Sequence, residues 1–336
     1  MKTFDQLTRL GKLRRFHRLA QQALRQFDLD VSSLAFLADP TNMLFRVGSP
    51  NGAAYVLRIC APGWRTDEDL NAEAAWLEAL ASGSDIPAPR VVRARDGEYI
   101  VRARAPGFAR EQRCTLMSWV PGVVLGKRLS EPNLFKMGRL FARLHAFSLD
   151  FVPPAGFTQR KMEQVLARGE PDVLFTRDCL SSLPENLREL LLQIKEQVER
   201  TYQALYAETA GLRVIHHDLW HDNIKIYRGE LTPLDFEDTV WGYPVQDIAM
   251  ALQDLMLDVE PPRYEPLQTA FRAGYESHSP WPEAHARQID TLRAGRMLWV
   301  ANFIAAFQKE HLVGYLERYQ AMLVEFLKTG RLRRSA

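Results

Sequence analysis

The apolar positions of this chain change period twice. Leu7, Leu10, Leu13, Phe16, Leu19, Ala20, Ala23 and Leu24 recur at helical spacing and predict a helix within residues 4–29. Arg9, Lys12, Arg14, Arg15, Arg18 and Arg25 fill its other positions. Between residues 33 and 60 the pattern turns to strands. Runs at 33–37, 43–47 and 54–59 are separated by Asp39-Pro40-Thr41-Asn42 and by Gly48-Ser49-Pro50-Asn51-Gly52. Such turn residues between apolar runs predict an antiparallel meander. A helix at 67–82 follows, with Leu70, Ala74, Leu77, Leu80 and Ala81 on its apolar face and Trp76 beside it; Gly83 is its stop signal. Three more strands are expected near 90–92, 99–101 and 115–120, the last running into Pro121-Gly122.

Beyond that Pro-Gly the chain reads as mainly helical. Leu134, Met137, Leu140, Phe141, Leu144 and His145 define a helix over 131–147, and Leu187, Leu190, Leu191, Ile194, Val198 and Tyr202 a longer one over 184–209. Residues 153–180 read as irregular and 213–236 as strand, turn and strand. The remainder is helical, with a break at Ser277-His278-Ser279-Pro280. The expectation is an α+β chain in two lobes: residues 1–120 with a small antiparallel sheet, and residues 121–336 mainly helical. That layout names no function by itself.

Composition narrows the classes. Apolar residues are 46%, charged residues 25% and the formal net charge is +2, the balance of a soluble globular protein. Nothing here calls for a nucleic-acid or membrane partner. The basic N-terminal helix fits two readings, a surface for membrane or nucleic acid and a helix packed on the first lobe; a chain that is not basic elsewhere favours the second. Cys60, Cys114 and Cys179 are scattered and form no CxxC pair, which suggests neither a disulfide framework nor a zinc site. No stretch reaches the ~18 apolar residues of a membrane span, and the charged start is unlike a targeting segment. A cytoplasmic enzyme is the expectation.

Candidate chemistry concentrates in Val214-Ile215-His216-His217-Asp218-Leu219-Trp220-His221-Asp222-Asn223-Ile224-Lys225-Ile226-Tyr227. Two apolar runs flank a polar centre, so strand, loop and strand is the best fit. Leu231-Thr232-Pro233-Leu234-Asp235-Phe236 returns as another strand, which would bring Asp218, Asn223 and Asp235 to one end of a small sheet. Phosphoryl transfer needs a carboxylate for the attacking hydroxyl and hard oxygen ligands for Mg²⁺. Asp218 suits the base, and Asn223 and Asp235 the magnesium ligands. Two other readings stand beside this one: zinc on His217 and His221, and polar residues that merely stabilise a turn.

His216-x-Asp218-x-x-x-x-Asn223 resembles the catalytic loop of the aminoglycoside phosphotransferase and choline kinase superfamily, which shares the protein-kinase-like fold. The stretch from Leu234 through Asp235 to Gly242-Tyr243-Pro244-Val245-Gln246-Asp247-Ile248-Ala249 is similar to that family's metal-binding segment. Met117-Ser118-Trp119-Val120-Pro121-Gly122 resembles the hinge that clasps adenine, and Gly138 to His145 the first helix of the large lobe. Tyr55-Val56-Leu57-Arg58 resembles the strand with the phosphate-contacting cation, and Glu73 falls where the family has its pairing carboxylate.

The resemblance implies ATP and Mg²⁺ as cofactors and a hydroxyl as acceptor. It implies Arg58 paired with Glu73, adenine held at Ser118 and Val120, Asp247 bracing the catalytic loop, and His216 packed beneath it. His217, Trp220, His221 and Asp222 depart from the family loop, and Asp39-Pro40-Thr41-Asn42 lacks glycine. An acidic wall of Glu237, Asp238, Asp254, Asp258 and Glu260 would favour cationic acceptors; solvated helix surface is the plainer alternative. Trp220, Trp241 and Tyr243 fit either stacking on an acceptor or core packing. The expected acceptor is a small molecule: an amino sugar, a sugar or an amino alcohol. The alternative is a Ser/Thr protein kinase of the bacterial stress-response type, against which the missing Ala-Pro-Glu segment speaks.

Overall fold

The computed structural model describes residues 4, 6–38, 41–166 and 171–334. Asp39 and Pro40 of the first turn lie outside the described residues. The chain divides into two compact units, Met1–Pro121 with Pro153–Thr158, and Gly122–Val152 with Gln159–Ala336.

The first unit is built on an antiparallel sheet of β1 (Ser33–Ala38), β2 (Met43–Gly48), β3 (Ala54–Ile59), β4 (Val91–Val92), β5 (Val101–Ala103) and β6 (Gln112–Ser118). Its order is β1-β2-β3-β6-β4, with β5 also on β6. Helix α1 (Arg9–Leu24) is shorter than its apolar pattern; Thr8 starts it by accepting from the Gly11 N–H at 3.2 Å. Leu19, Ala20, Ala23 and Leu24 join Phe45, Val47, Leu57, Ile59 and Leu116 in one core, while Arg9, Arg14, Arg18 and Arg25 stay exposed. The helix is therefore a packed one with a solvated basic face. Side chains alternate across a strand, so Arg58 and Cys60 point away from Leu57 and Ile59. They meet α2 (Asp67–Gly83), whose Leu70 and Ala74 cluster with Cys60 and Tyr99. A reciprocal capping box between Thr66 and Asp69 fixes the start of α2.

The second unit contains β7 (Val123–Val124), α3 (Glu131–Leu149), α4 (Arg177–Ser181), α5 (Glu185–Tyr206), β8 (Arg213–Ile215), β9 (Ile224–Tyr227), β10 (Glu230–Pro233), β11 (Val240–Gly242), α6 (Pro244–Asp258), α7 (Pro261–Glu276), α8 (Ile289–Phe307) and α9 (Leu312–Thr329). Helices α5, α6, α8 and α9 share a large apolar core with Tyr243, Ile215 and Val240. Helices α3 and α7 pack backbone to backbone. A Cβ on Gly138 would fall 1.9 Å from the Phe271 carbonyl oxygen, and one on Gly274 1.9 Å from that of Phe135. Only glycine allows that approach.

One expected feature is corrected. Residues 213–236 do not form a single sheet. β9 and β10 pair through a tight turn with Arg228 at φ 50° and Gly229 at φ 85°, and β7 takes the other edge of β9. The primed-type turn satisfies the hairpin locally, so β8 finds its partner in β11 instead. The polar segment 216–223 thus runs from one small sheet to another.

Candidate active site

Strand β8 delivers His216, His217 and Asp218 in sequence. Ordinary extended geometry would carry the chain onward, but His217 adopts φ 60° and reverses it. Asp247, in the first turn of α6, holds this reversal. Its Oδ2 accepts from the His216 N–H at 3.0 Å and its Oδ1 from the His217 N–H at 2.6 Å. His145 Nε2 on α3 lies 3.1 Å from the same Oδ2, and His145 Nδ1 lies 3.0 Å from the Tyr275 hydroxyl on α7. Burial raises the Asp247 pKa, but the hydrogen bond and charge of His145, with His216 and His217, outweigh it. The net result is a carboxyl below its ordinary value. Asp247 was expected from the resemblance; His145 was seen only as part of a helix face, and its polar ring among leucines was the available signal.

His216 is buried under the loop. Its Nε2 donates to the Leu234 carbonyl at 2.8 Å, and its Nδ1 is 3.3 Å from the Asp218 N–H. That pair of partners requires the neutral ring. Burial likewise lowers its pKa against the pull of Asp247.

Asp218 and Asn223 are brought into contact. The Asn223 amide donates to the Asp218 carbonyl at 2.8 Å and to Asp218 Oδ2 at 2.9 Å. The Leu234 N–H donates to the Asn223 carbonyl at 2.8 Å, so Asp235 follows directly on a residue stitched to this loop. Asp235 itself is exposed, in the left-handed region at φ 61°. Asn223 spends its amide NH₂ on Asp218, which leaves the amide oxygen for a cation. Together with the exposed Asp235 carboxylate this is a hard-oxygen donor set that fits Mg²⁺, with phosphates and water completing the shell. Among the described residues no group of three or more His, Cys, Asp or Glu side chains is arranged to hold a metal ion.

Further side chains take roles that the sequence did not indicate. Arg296 of α8 reaches Asp218 Oδ1 at 2.9 Å and Asp254 Oδ2 at 2.8 Å through the same Nη2. Its guanidinium lies over Trp299, 4.5 Å from the ring centroid. Burial would lower its pKa; the charges of Asp254 and then Asp218 win and raise it, so the group stays positive. His221 Nε2 lies 2.9 Å from Asp258 Oδ2. Two members of the expected acidic wall are therefore engaged within the protein, Asp254 by Arg296 and Asp258 by His221. Glu237 and Asp238 lie on the short turn Phe236–Asp238, Asp238 being buried. Trp220 is half-buried against the His221 ring. His217 and His221 are buried, so these departures from the family loop build the scaffold beneath it.

In the first unit, Arg58 and Glu73 are paired as expected. The Arg58 guanidinium meets both Glu73 oxygens, its Nη1 donating at 3.2 Å, and its Nε donates to Thr115 Oγ1 at 3.1 Å. Both side chains are almost completely buried. Ser118 exchanges bonds with Arg90: its N–H donates to the Arg90 carbonyl and its hydroxyl accepts from the Arg90 N–H, both at 2.8 Å. The Trp119 N–H donates to Ala54 at 2.9 Å. Two N–H groups of the expected hinge are thus engaged within the sheet, and Val120 follows them, buried.

Comparison with known proteins places this arrangement. The profile of the phosphotransferase enzyme family matches residues 34–281. The chain belongs to that family, and it is a kinase. An amicoumacin kinase of Bacillus subtilis is 23% identical over 327 residues, covering 88% of this chain and 89% of that one. An uncharacterised protein of Synechocystis is 25% identical over 248 residues, 73% of this chain and 65% of that protein, just under two thirds of its length. Among solved structures, amicoumacin kinase hAmiN in complex with AMP-PNP, Ca²⁺ and Ami superposes with a TM-score of 0.78 at 16% identity, over 98% of both chains. A microcompartment-associated aminopropanol kinase gives a TM-score of 0.75 at 21% identity, over 94% of this chain and 99% of that one. The structural likeness establishes the two-lobed protein-kinase-like fold. No helix among the described residues is long and apolar enough to cross a membrane.

Proposed function

We propose that this protein transfers the γ-phosphate of ATP to a hydroxyl of a small molecule, an amino sugar, a sugar or an amino alcohol, with Mg²⁺. The observation that carries the reading is the Asp218–Asn223 contact on a loop whose backbone is held by Asp247. Phosphoryl transfer asks a protein mainly for positioning and charge placement. Asp218 orients the acceptor hydroxyl and takes its proton as the new O–P bond forms and the bond from the γ-phosphorus to the bridging oxygen breaks, releasing ADP. Asn223 and Asp235 hold Mg²⁺, which neutralises phosphate charge when bound. Arg58, braced by Glu73 and Thr115, contacts the nucleotide phosphates, and the segment Ser118–Val120 receives the adenine. Trp220, Glu237 and Asp238 border the acceptor. The small-molecule assignment draws support from the relatives, whose names give amicoumacin and aminopropanol as acceptors.

The test is transfer of labelled phosphate from ATP and Mg²⁺ to 1-amino-2-propanol, an aminoglycoside and a generic protein substrate, each in parallel. Label on a small acceptor is expected, with Asp218→Asn reducing turnover by about 10²–10⁴-fold. Label on protein alone would overturn the acceptor class, and full turnover by Asp218→Asn would remove the base.

A further inference from the structure

We infer that Arg296 is a positioning residue for Asp218, tying the base to helix α6 through Asp254; the inference rests on the reading of Asp218 given above. The geometry is specific. One nitrogen, Nη2, serves two carboxylates: Asp254 Oδ2 at 2.8 Å and Asp218 Oδ1 at 2.9 Å. Nε faces Asp254 as well, 3.2 and 3.4 Å from its two oxygens. Asp254 therefore fixes the plane of the guanidinium through hydrogen bonds, and the guanidinium charge stands against Asp218 Oδ1 as an ion pair. Asn223 fixes the other oxygen at 2.9 Å. One oxygen is hydrogen-bonded and the other faces a fixed charge, which together favour one orientation of the carboxylate about its Cβ–Cγ bond. Trp299, one turn on in α8, supports the flat face of the cation.

The side chains involved are 7% (Arg296), 13% (Asp218) and 11% (Asp254) exposed. Solvent is too scarce there to substitute for the missing charge. Without Arg296, two carboxylates of like sign would face each other, and Asp218 would lose its fixed orientation. A lysine restores the charge as a point but has no planar fork to span two carboxylates and stack on an indole. Arg296 acts through Asp218 and Asp254; no acceptor contact is assigned to it.

The experiment compares wild type, Arg296→Lys and Arg296→Met in three measurements: phosphate transfer from ATP and Mg²⁺ to 1-amino-2-propanol and an aminoglycoside, melting temperature, and amide hydrogen exchange at residues 216–223. Misplacing a reacting group by about 1 Å costs on the order of 100-fold. The expectation is a kcat loss of that size for Arg296→Met, a smaller loss for Arg296→Lys, and a KM for ATP within about twofold of wild type. Exchange at 216–223 should rise at least about tenfold in a folded variant while the α5 and α9 amides keep their protection. If Arg296→Met does not fold, Arg296→Lys carries the test. A kcat near wild type in the folded variants, or unchanged protection of 216–223, overturns the inference. If wild type itself transfers no phosphate, the proposed function fails while the exchange measurement still decides whether Arg296 holds the loop.

Discussion

Asp247 shows at the residue scale how a buried charge is made to serve a loop. Its carboxyl titrates below its ordinary 3.8, because His145, His216 and His217 together outweigh the cost of burial. Between the folded and unfolded values the unfolded chain carries the proton and the folded chain does not, so stability there rises with pH and is lost on acidification. Wild type should accordingly lose unfolding free energy more steeply below about pH 4 than Asp247→Asn, as read from urea melts across a pH series. His216 gives a second window of the same sign. Its ring is held neutral, below the ordinary 6.5, so acidification through that value charges the unfolded chain first and favours it. A His216→Gln variant, measured in the same series, should lack this loss just below pH 6.5 while keeping that part of the Asp247 window which His145 sustains.

At the scale of elements, α6 organises the site. Asp247, Asp254 and Asp258 stand at i, i+7 and i+11, which puts them on one stripe of a helix. Each engages the segment 216–223 differently: the first its backbone, the second Asp218 through Arg296, the third His221. The sequence pattern made the helix legible, and the motif made Asp218, Asn223, Asp235 and Asp247 legible as candidates. It could not show that Asp254 and Asp258 are engaged within the protein. Their partners lie 42 residues ahead and 37 behind, and such contacts leave no local period. The same reason explains β8: an edge partner is chosen by tertiary contact, so Val214 and Ile215 predicted a strand but not which one it would join. Helices α3 and α7 provide the test at this scale. Their glycines abut carbonyl oxygens of rigid backbone, so Gly138→Ala or Gly274→Ala should destabilise the fold by about 1–3 kcal/mol. Urea unfolding checks this, and a neutral result in both variants would mean that the helices separate at no cost.

At the scale of the molecule, each compact unit carries its own buried charge cluster. The first holds Arg58, Glu73 and Thr115; the second holds Asp218, Asn223, Arg296 and Asp254. Their proposed duties differ, the former serving the nucleotide and the latter the transfer step, and kinetics can separate the two. Glu73→Gln leaves Arg58 buried without its counter-charge, a loss of about 3–5 kcal/mol in a buried pair. It should lower the melting temperature and raise the KM for ATP by about tenfold or more as Arg58 loses its bearing. At saturating ATP the folded fraction should turn over within a few-fold of wild type, since Asp218 and its supports are untouched. Asp218→Asn should do the opposite, lowering kcat by about 10²-fold or more with the KM for ATP and the melting temperature little changed. Measuring KM, kcat and melting temperature for both variants checks the division. Were Glu73→Gln to depress kcat at saturating ATP as deeply as Asp218→Asn, the Arg58 pair would have to belong to the transfer step itself, because only an interaction made in the transition state lowers kcat without being restored by substrate.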